Sequence, residues 1–145
     1  MTNRQQLEPS TARDLATRSM TAVAARDREG WLALWSADGR IEDPVGPSPL
    51  DPTGQGWHGR DGLSRFWDTT IATLEGIRFE LHDSFACGDE VANVATLHLV
   101  LPGGATARND GVFVYRANRD GELASLRAFW EMDRLLATIA PPTTG

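Results

Sequence analysis

Asp43 stands in the run GRIEDPVG, residues 39–46, between Ile41 and the pair Pro44-Val45. Proline has no backbone N–H and pushes the residue before it toward extended backbone. An aspartate held there among apolar neighbours is hard to solvate once the segment is covered. Burial disfavours the charged carboxylate and raises its pKa toward neutrality, where it can accept a proton and give it back. The same residues also suit an ordinary Asp-Pro turn with a solvated acid, a common arrangement. The local sequence leaves both readings open.

Other reactive side chains offer less. Ser19 falls on the apolar face of the first helix, where its hydroxyl needs a partner, and a bond back to its own helix is the usual one. Asp110, with Glu131 and Asp133 near the last strand, completes the short set of acids near the expected cavity. His58, His82 and His98 share no metal-ligand spacing, and Cys87 has no nearby thiol or histidine in a motif. No G-x-S-x-G elbow and no G-x-G-x-x-G phosphate fingerprint occurs. No metal and no nucleotide cofactor is therefore expected.

The elements that must position these groups follow from periodicity. Pro9-Ser10-Thr11, with Asp14 three residues on, opens a helix to about Arg26 whose inner face is Leu15, Ala16, Ser19, Met20 and Val23. Asp27 caps a second, short helix expected to run through Trp31, Leu32, Leu34 and Trp35. Gly39 should end it, followed by a short strand over 40–43. Residues 47–56, PSPLDPTGQG, form an irregular loop placed to act as a lid, with Trp57 at its end. A third helix begins near Asp61 and carries Leu63, Phe66, Trp67, Thr70, Ile71 and Leu74 as one stripe. From Ile77 the period becomes two, and turns at Gly88-Asp89, 102–104 and 118–121 separate strands over 91–101, 105–116 and 123–132. A short helix and a proline-bearing tail close the chain. The expected class is α+β: a single domain over 1–145, with loose termini at 1–9 and 141–145, in which a curved antiparallel sheet forms a cone with about three helices on its concave face.

Composition agrees with a soluble globular domain: of 145 residues, 41% are hydrophobic and 23% charged. The net charge of −6 and the absence of a basic block argue against nucleic acid and against anionic membranes. No apolar run approaches the ~20 residues of a membrane span, and MTNRQQLEPS has no apolar signal core. One cysteine cannot make an internal disulfide, so a cytoplasmic setting is expected.

DREGWLALWSADGRIEDPVG, residues 27–46, resembles the corresponding segment of the ketosteroid isomerases. HGRDGLSRFW (58–67) and GELASLRAFW (121–130) are similar to their third helix and last strand. These enzymes belong to the nuclear transport factor 2-like superfamily, with the SnoaL-type polyketide cyclases and the limonene epoxide hydrolases. The resemblance covers residues 12–132. It implies a cone-shaped α+β barrel, a homodimer through the outer sheet face, a hydrophobic steroid-sized cavity, and Asp43 as the base that moves a proton between two carbons of a 3-oxo steroid. In that family an aspartate base faces an oxyanion hole of a tyrosine and an aspartic acid kept protonated by its apolar surroundings.

Two departures stand out. The oxyanion tyrosine falls on Ser19, a shorter and weaker donor. The second donor belongs on the strand over 105–116, where Asp110 is the only acid. Alternation back from Phe113 and Tyr115 puts Gly111 inward and Asp110 outward, unless a bulge near Gly111 swaps the faces. Ala128 stands where the epoxide hydrolases carry an aspartate. The resemblance thus implies a steroid Δ-isomerase-like enzyme with Asp43 as base, Asp110 and Ser19 as oxyanion donors, and Trp35, Phe66, Trp67, Leu126 and Trp130 as cavity walls. A binding protein that keeps the cavity without turnover and a polyketide cyclase-like aldol catalyst are the rival expectations.

Overall fold

The structure is a computed structural model and describes residues 10–143. The expected loose arm at 1–9 and the last two residues of the 141–145 tail lie outside the described residues.

Helix α1 (Thr11–Ala24) begins where Ser10 accepts a hydrogen bond from the Arg13 N–H, with Asp14 in the first turn favouring the positive end of the helix dipole. Its buried face is Ala12, Leu15, Ala16, Ser19 and Val23. It packs on the inner face of the sheet, against β3 (Gly76–Cys87), β4 (Glu90–Val100) and β5 (Thr106–Ala117). Arg26, in the left-handed region at φ 59°, turns the chain, and Asp27 caps α2 (Arg28–Leu32) by accepting from the Gly30 N–H at 3.0 Å.

Here the structure corrects the sequence reading. Helix α2 stops at Leu32, and Trp35 opens strand β1 (Trp35–Glu42) instead of sharing a helix with Trp31. The Leu34 carbonyl accepts from the Leu123 N–H at 2.8 Å, and this pairing with strand β6 (Leu123–Phe129) draws the segment into the sheet. Gly39 lies inside β1, where the register shifts. A Cβ there would sit 2.7 Å from the Trp35 ring, so the strand passes over that indole only with glycine. The two indoles still meet, at 5.6 Å, and Trp31 also touches Phe66 and Trp67. Each such aromatic pair adds about 0.5–1.5 kcal/mol beyond the area it buries.

The loop after β1 leads to a short strand β2 (Trp57–His58) and helix α3 (Gly59–Thr69). The expected stripe continues through Ile71, but the chain tightens into a 3-10 turn (Ile71–Thr73) that ends at Leu74. The sheet order is β2-β1-β6-β5-β4-β3. The four hairpin-linked strands read from the sequence are present and antiparallel; β1 joins β6 in parallel and β2 closes the edge. A short helix α4 (Met132–Leu136) follows β6. The β4–β5 ladder runs unbroken from Glu90↔Arg116 to Val100↔Thr106. Without a bulge, strand alternation holds, and Ala107, Asn109, Phe113, Tyr115 and Ala117 point into the core. No described helix is long and apolar enough to cross a membrane.

Candidate functional site

Asp43 leaves the end of β1 between two anchors. Before it, Glu42 is buried and paired with Arg127 at 3.2 Å; after it, the Val45 N–H donates to the Ala128 carbonyl at 2.9 Å. The Asp43–Pro44 peptide is cis. Alternation turns Asp43 to the face opposite Glu42, where the Trp130 indole N–H donates to its Oδ1 at 2.5 Å. Burial raises the Asp43 pKa from 3.8 to about 6, and the Trp130 hydrogen bond partly opposes the rise. Asp43 keeps some exposure as a residue because it borders an open cavity of about 280 Å³.

The walls are largely aliphatic. Leu50, Phe66 and Ile71 come from the loop and α3 side, Ile77, Leu97 and Leu99 from β3 and β4, and Trp130, Met132 and Leu135 from the end of the sheet and α4. Thr69 and Thr73 satisfy their hydroxyls on backbone carbonyls, at 2.7 Å each, and Thr70 does the same on Phe66. Among the described residues Asp43 is the one ionisable group on this surface. The site can therefore hold an apolar body and present one carboxylate, largely ionised at neutral pH.

Of the expected wall residues, Phe66 and Trp130 line the cavity. Trp35, Trp67 and Leu126 are packed in the core and do not border it. Trp57 packs edge-on to Phe66 at 5.8 Å, and the loop reaches the cavity through Leu50 instead. Ser19 is buried, but its hydroxyl does not turn back onto α1; the exposed Thr17 and Thr21 do that. Ser19 accepts from the Trp31 indole N–H at 3.2 Å and is hydrogen-bonded to the Tyr115 hydroxyl.

Asp110 is not brought to Asp43. It is exposed on the outer face, accepts from Thr96 Oγ1 at 2.6 Å, and borders a separate groove with Val112, Phe129 and Arg134. The bulge that would have turned it inward is absent, and its neighbour Asn109 takes the inward place.

Two polar residues on the inner face were missed at the sequence level. Tyr115 is buried in the core and, like Trp35 and Leu126, does not border the cavity; its hydroxyl pKa is raised first by burial and then by the negative charge of Asp43. Asn109 is 5% exposed and lines the Asp43 cavity. Strict alternation along β5, which turns both residues inward, was the signal for both. Among the described residues no group of three or more His, Cys, Asp or Glu side chains is placed to hold a metal ion.

Comparison with known proteins places this geometry. The model of the SnoaL-like domain matches residues 16–126. The structure of RV0760c from Mycobacterium tuberculosis in complex with estradiol-17beta-hemisuccinate is similar at 38% identity and TM-score 0.81, covering 87% of this chain and 98% of that one. The Delta 5-3-ketosteroid isomerase from Mycobacterium sp. is similar at 33% identity and TM-score 0.82, covering 91% of this chain and 98% of that one. A computationally designed 17-OHP binder is similar at 34% identity and TM-score 0.84, covering 91% and 100%. No curated protein matches the sequence. The matched span, the cone of curved sheet and helices, and neighbours that include a ketosteroid isomerase and steroid-binding proteins show that this chain belongs to the SnoaL-like domain family of the nuclear transport factor 2-like fold.

Proposed function

We propose that this protein is a steroid Δ-isomerase-like enzyme, acting without a cofactor on a 3-oxo steroid or a similar polycyclic ketone. The Asp43 carboxylate removes a proton from the carbon between the ketone and the β,γ double bond, leaving a dienolate and a neutral carboxyl. The same carboxyl returns the proton to the far end of the dienolate, and the double bond ends in conjugation. The observation that carries this reading is the Asp43 carboxyl, raised to about 6 and held by Trp130 in the wall of an apolar cavity.

Negative charge gathers on the ketone oxygen in the dienolate, and a donor aimed at it is worth on the order of 10²–10³ in rate. Ser19 is too short for this, and its oxygen already accepts from Trp31. The Tyr115 hydroxyl does not border the cavity, but it is near enough to Asp43 to feel its charge and is hydrogen-bonded to Ser19; it is the donor in our reading, met by a ketone that passes Asp43 toward the core. Apolar side chains on the outer sheet face, including Phe85, Val112 and Phe129, suit a homodimer through that face.

A second reading has its own observation. Serine stands at the family's tyrosine position, so a protein that binds the steroid without turning it over fits the same cavity. Stopped-flow absorbance with a β,γ-unsaturated 3-oxo steroid separates the two. Appearance of the conjugated enone, abolished by Asp43→Asn with binding retained, supports the isomerase. Tight binding with no enone from the wild-type protein overturns it in favour of the binding protein.

A further inference from the structure

We propose that Asn109 is a ligand-anchoring residue that hydrogen-bonds a second oxygen, a hydroxyl or carbonyl, at the end of the ligand remote from the reacting ketone. The inference deepens the function proposed above and rests on it. Asn109 is 5% exposed, lines the cavity that contains Asp43, and its side chain makes no hydrogen bond to the described residues. Every other polar side chain on that surface has a partner: Thr69, Thr70 and Thr73 bond backbone carbonyls, and Asp43 has Trp130. The Asn109 amide is not sealed in the core: among the described residues the buried side-chain polar atom without a partner is Trp35 Nε1, so the Asn109 amide opens into the cavity, where a ligand that displaced solvent would leave it unmatched at a cost. An amide in an aliphatic cavity is matched when a ligand brings the complementary oxygen: its NH₂ donates to a carbonyl, and a hydroxyl can use either end.

The position of Asn109 along β5 fixes which oxygen. Gly111 lies between Asn109 and Tyr115 on the inner face, and it is the point where Trp130 meets the strand: a Cβ on Gly111 would sit 3.0 Å from the Trp130 Cβ. Trp130 carries Asp43, so the base is served from the Gly111 level. Asn109 is one inward step from that level, roughly 7 Å along the strand, on the side away from Tyr115. Asp43, Leu97, Leu99 and Asn109 border one cavity, so with the reacting ketone held on the Tyr115 side of Asp43 the ligand body lies in that cavity, between Leu97 and Leu99, with its far end at Asn109. The ligand class is therefore an apolar polycycle with an oxygen at each end.

The test is equilibrium binding to the full chain by tryptophan fluorescence, with two 3-oxo steroids alike except that one carries a 17-hydroxyl and the other hydrogen there. The wild-type protein should prefer the hydroxylated steroid by about tenfold. Asn109→Leu should erase the preference and leave affinity for the deoxy steroid within about threefold; Asn109→Ser, which keeps a polar group but loses reach, should erase it as well. Because the amide has no protein partner, both variants should melt no lower than wild type by more than a few degrees. An undiminished preference in both variants, or no preference in the wild type, overturns the role of Asn109 and leaves the isomerase reading standing. Failure of the wild type to bind either steroid overturns both.

Discussion

The Trp130 indole N–H and the Asp43 carboxylate meet in the wall of one cavity, one from the end of β6 and the other from the end of β1. The two strands are parallel neighbours, with Ile41 opposite Leu126 and Glu42 opposite Arg127. Inward alternation carries Leu126 and Ala128 on to Trp130. The contact therefore orients the carboxylate by backbone register, and its hydrogen bond keeps the pKa below the value burial alone would give it.

Asp43 should set the pH dependence of activity. Rate over KM should rise as pH passes through about 6 and level off above it, because only the ionised carboxylate accepts the proton. A flat profile between pH 5 and 8 would contradict this assignment.

The same carboxyl should also shape stability. Its folded pKa lies above its unfolded value, so its contribution is fully present below about pH 4 and is lost as pH rises through about 6. The rise from 3.8 to about 6 corresponds to on the order of 3 kcal/mol. Asp43→Asn should stabilise the fold by up to that amount at pH 8 and by much less at pH 4.5. Urea unfolding at both values checks it, and an equal effect at the two pH values would count against a desolvated acid.

Trp130→Phe keeps most of the wall and removes the donor. The Asp43 pKa should move above 6, shifting the rise of the rate profile to higher pH and lowering the rate at pH 6.5 several-fold. A profile that drops in height without moving would mean that the indole serves packing alone.

Tyr115→Phe should reduce kcat on the order of 10²–10³-fold with little change in steroid affinity, as expected for loss of one oxyanion donor. Ser19→Ala leaves the buried Trp31 N–H without an acceptor and should cost about 1–3 kcal/mol of stability. Comparing kcat and unfolding free energy for both variants distinguishes a donor from a packing residue. Equal kcat for Tyr115→Phe and wild type would remove Tyr115 from the mechanism.

Phe129 and Phe85 are 44% and 61% exposed on the outer sheet face. If that face joins two copies, Phe129→Glu should halve the mass seen by sedimentation velocity while leaving the circular dichroism spectrum unchanged. A wild-type protein that sediments as a monomer at micromolar concentration would refute the dimer.

What was legible in the amino-acid sequence is what local rules govern. Proline after Asp43 and apolar residues beside it mark the carboxylate without deciding whether it is buried; the stripe from Leu63 through Trp67 marks α3, with Ile71 falling in the turn that follows; alternation along β5 turns Asp110 outward but leaves room for a bulge, which the unbroken β4–β5 ladder removes. Those signals are carried by residues a few positions apart, so backbone sterics and side-chain period suffice. Tertiary structure decided the rest. Trp35 became a strand residue because β6 offers hydrogen bonds to that stretch of backbone, a choice no local propensity records. Ser19 found Trp31 and Tyr115 on two other elements, and Asn109 came to the cavity of Asp43 from a strand far along the chain. Convergence of this kind depends on register between distant strands and on the curvature of the sheet, which are set only when the whole core packs.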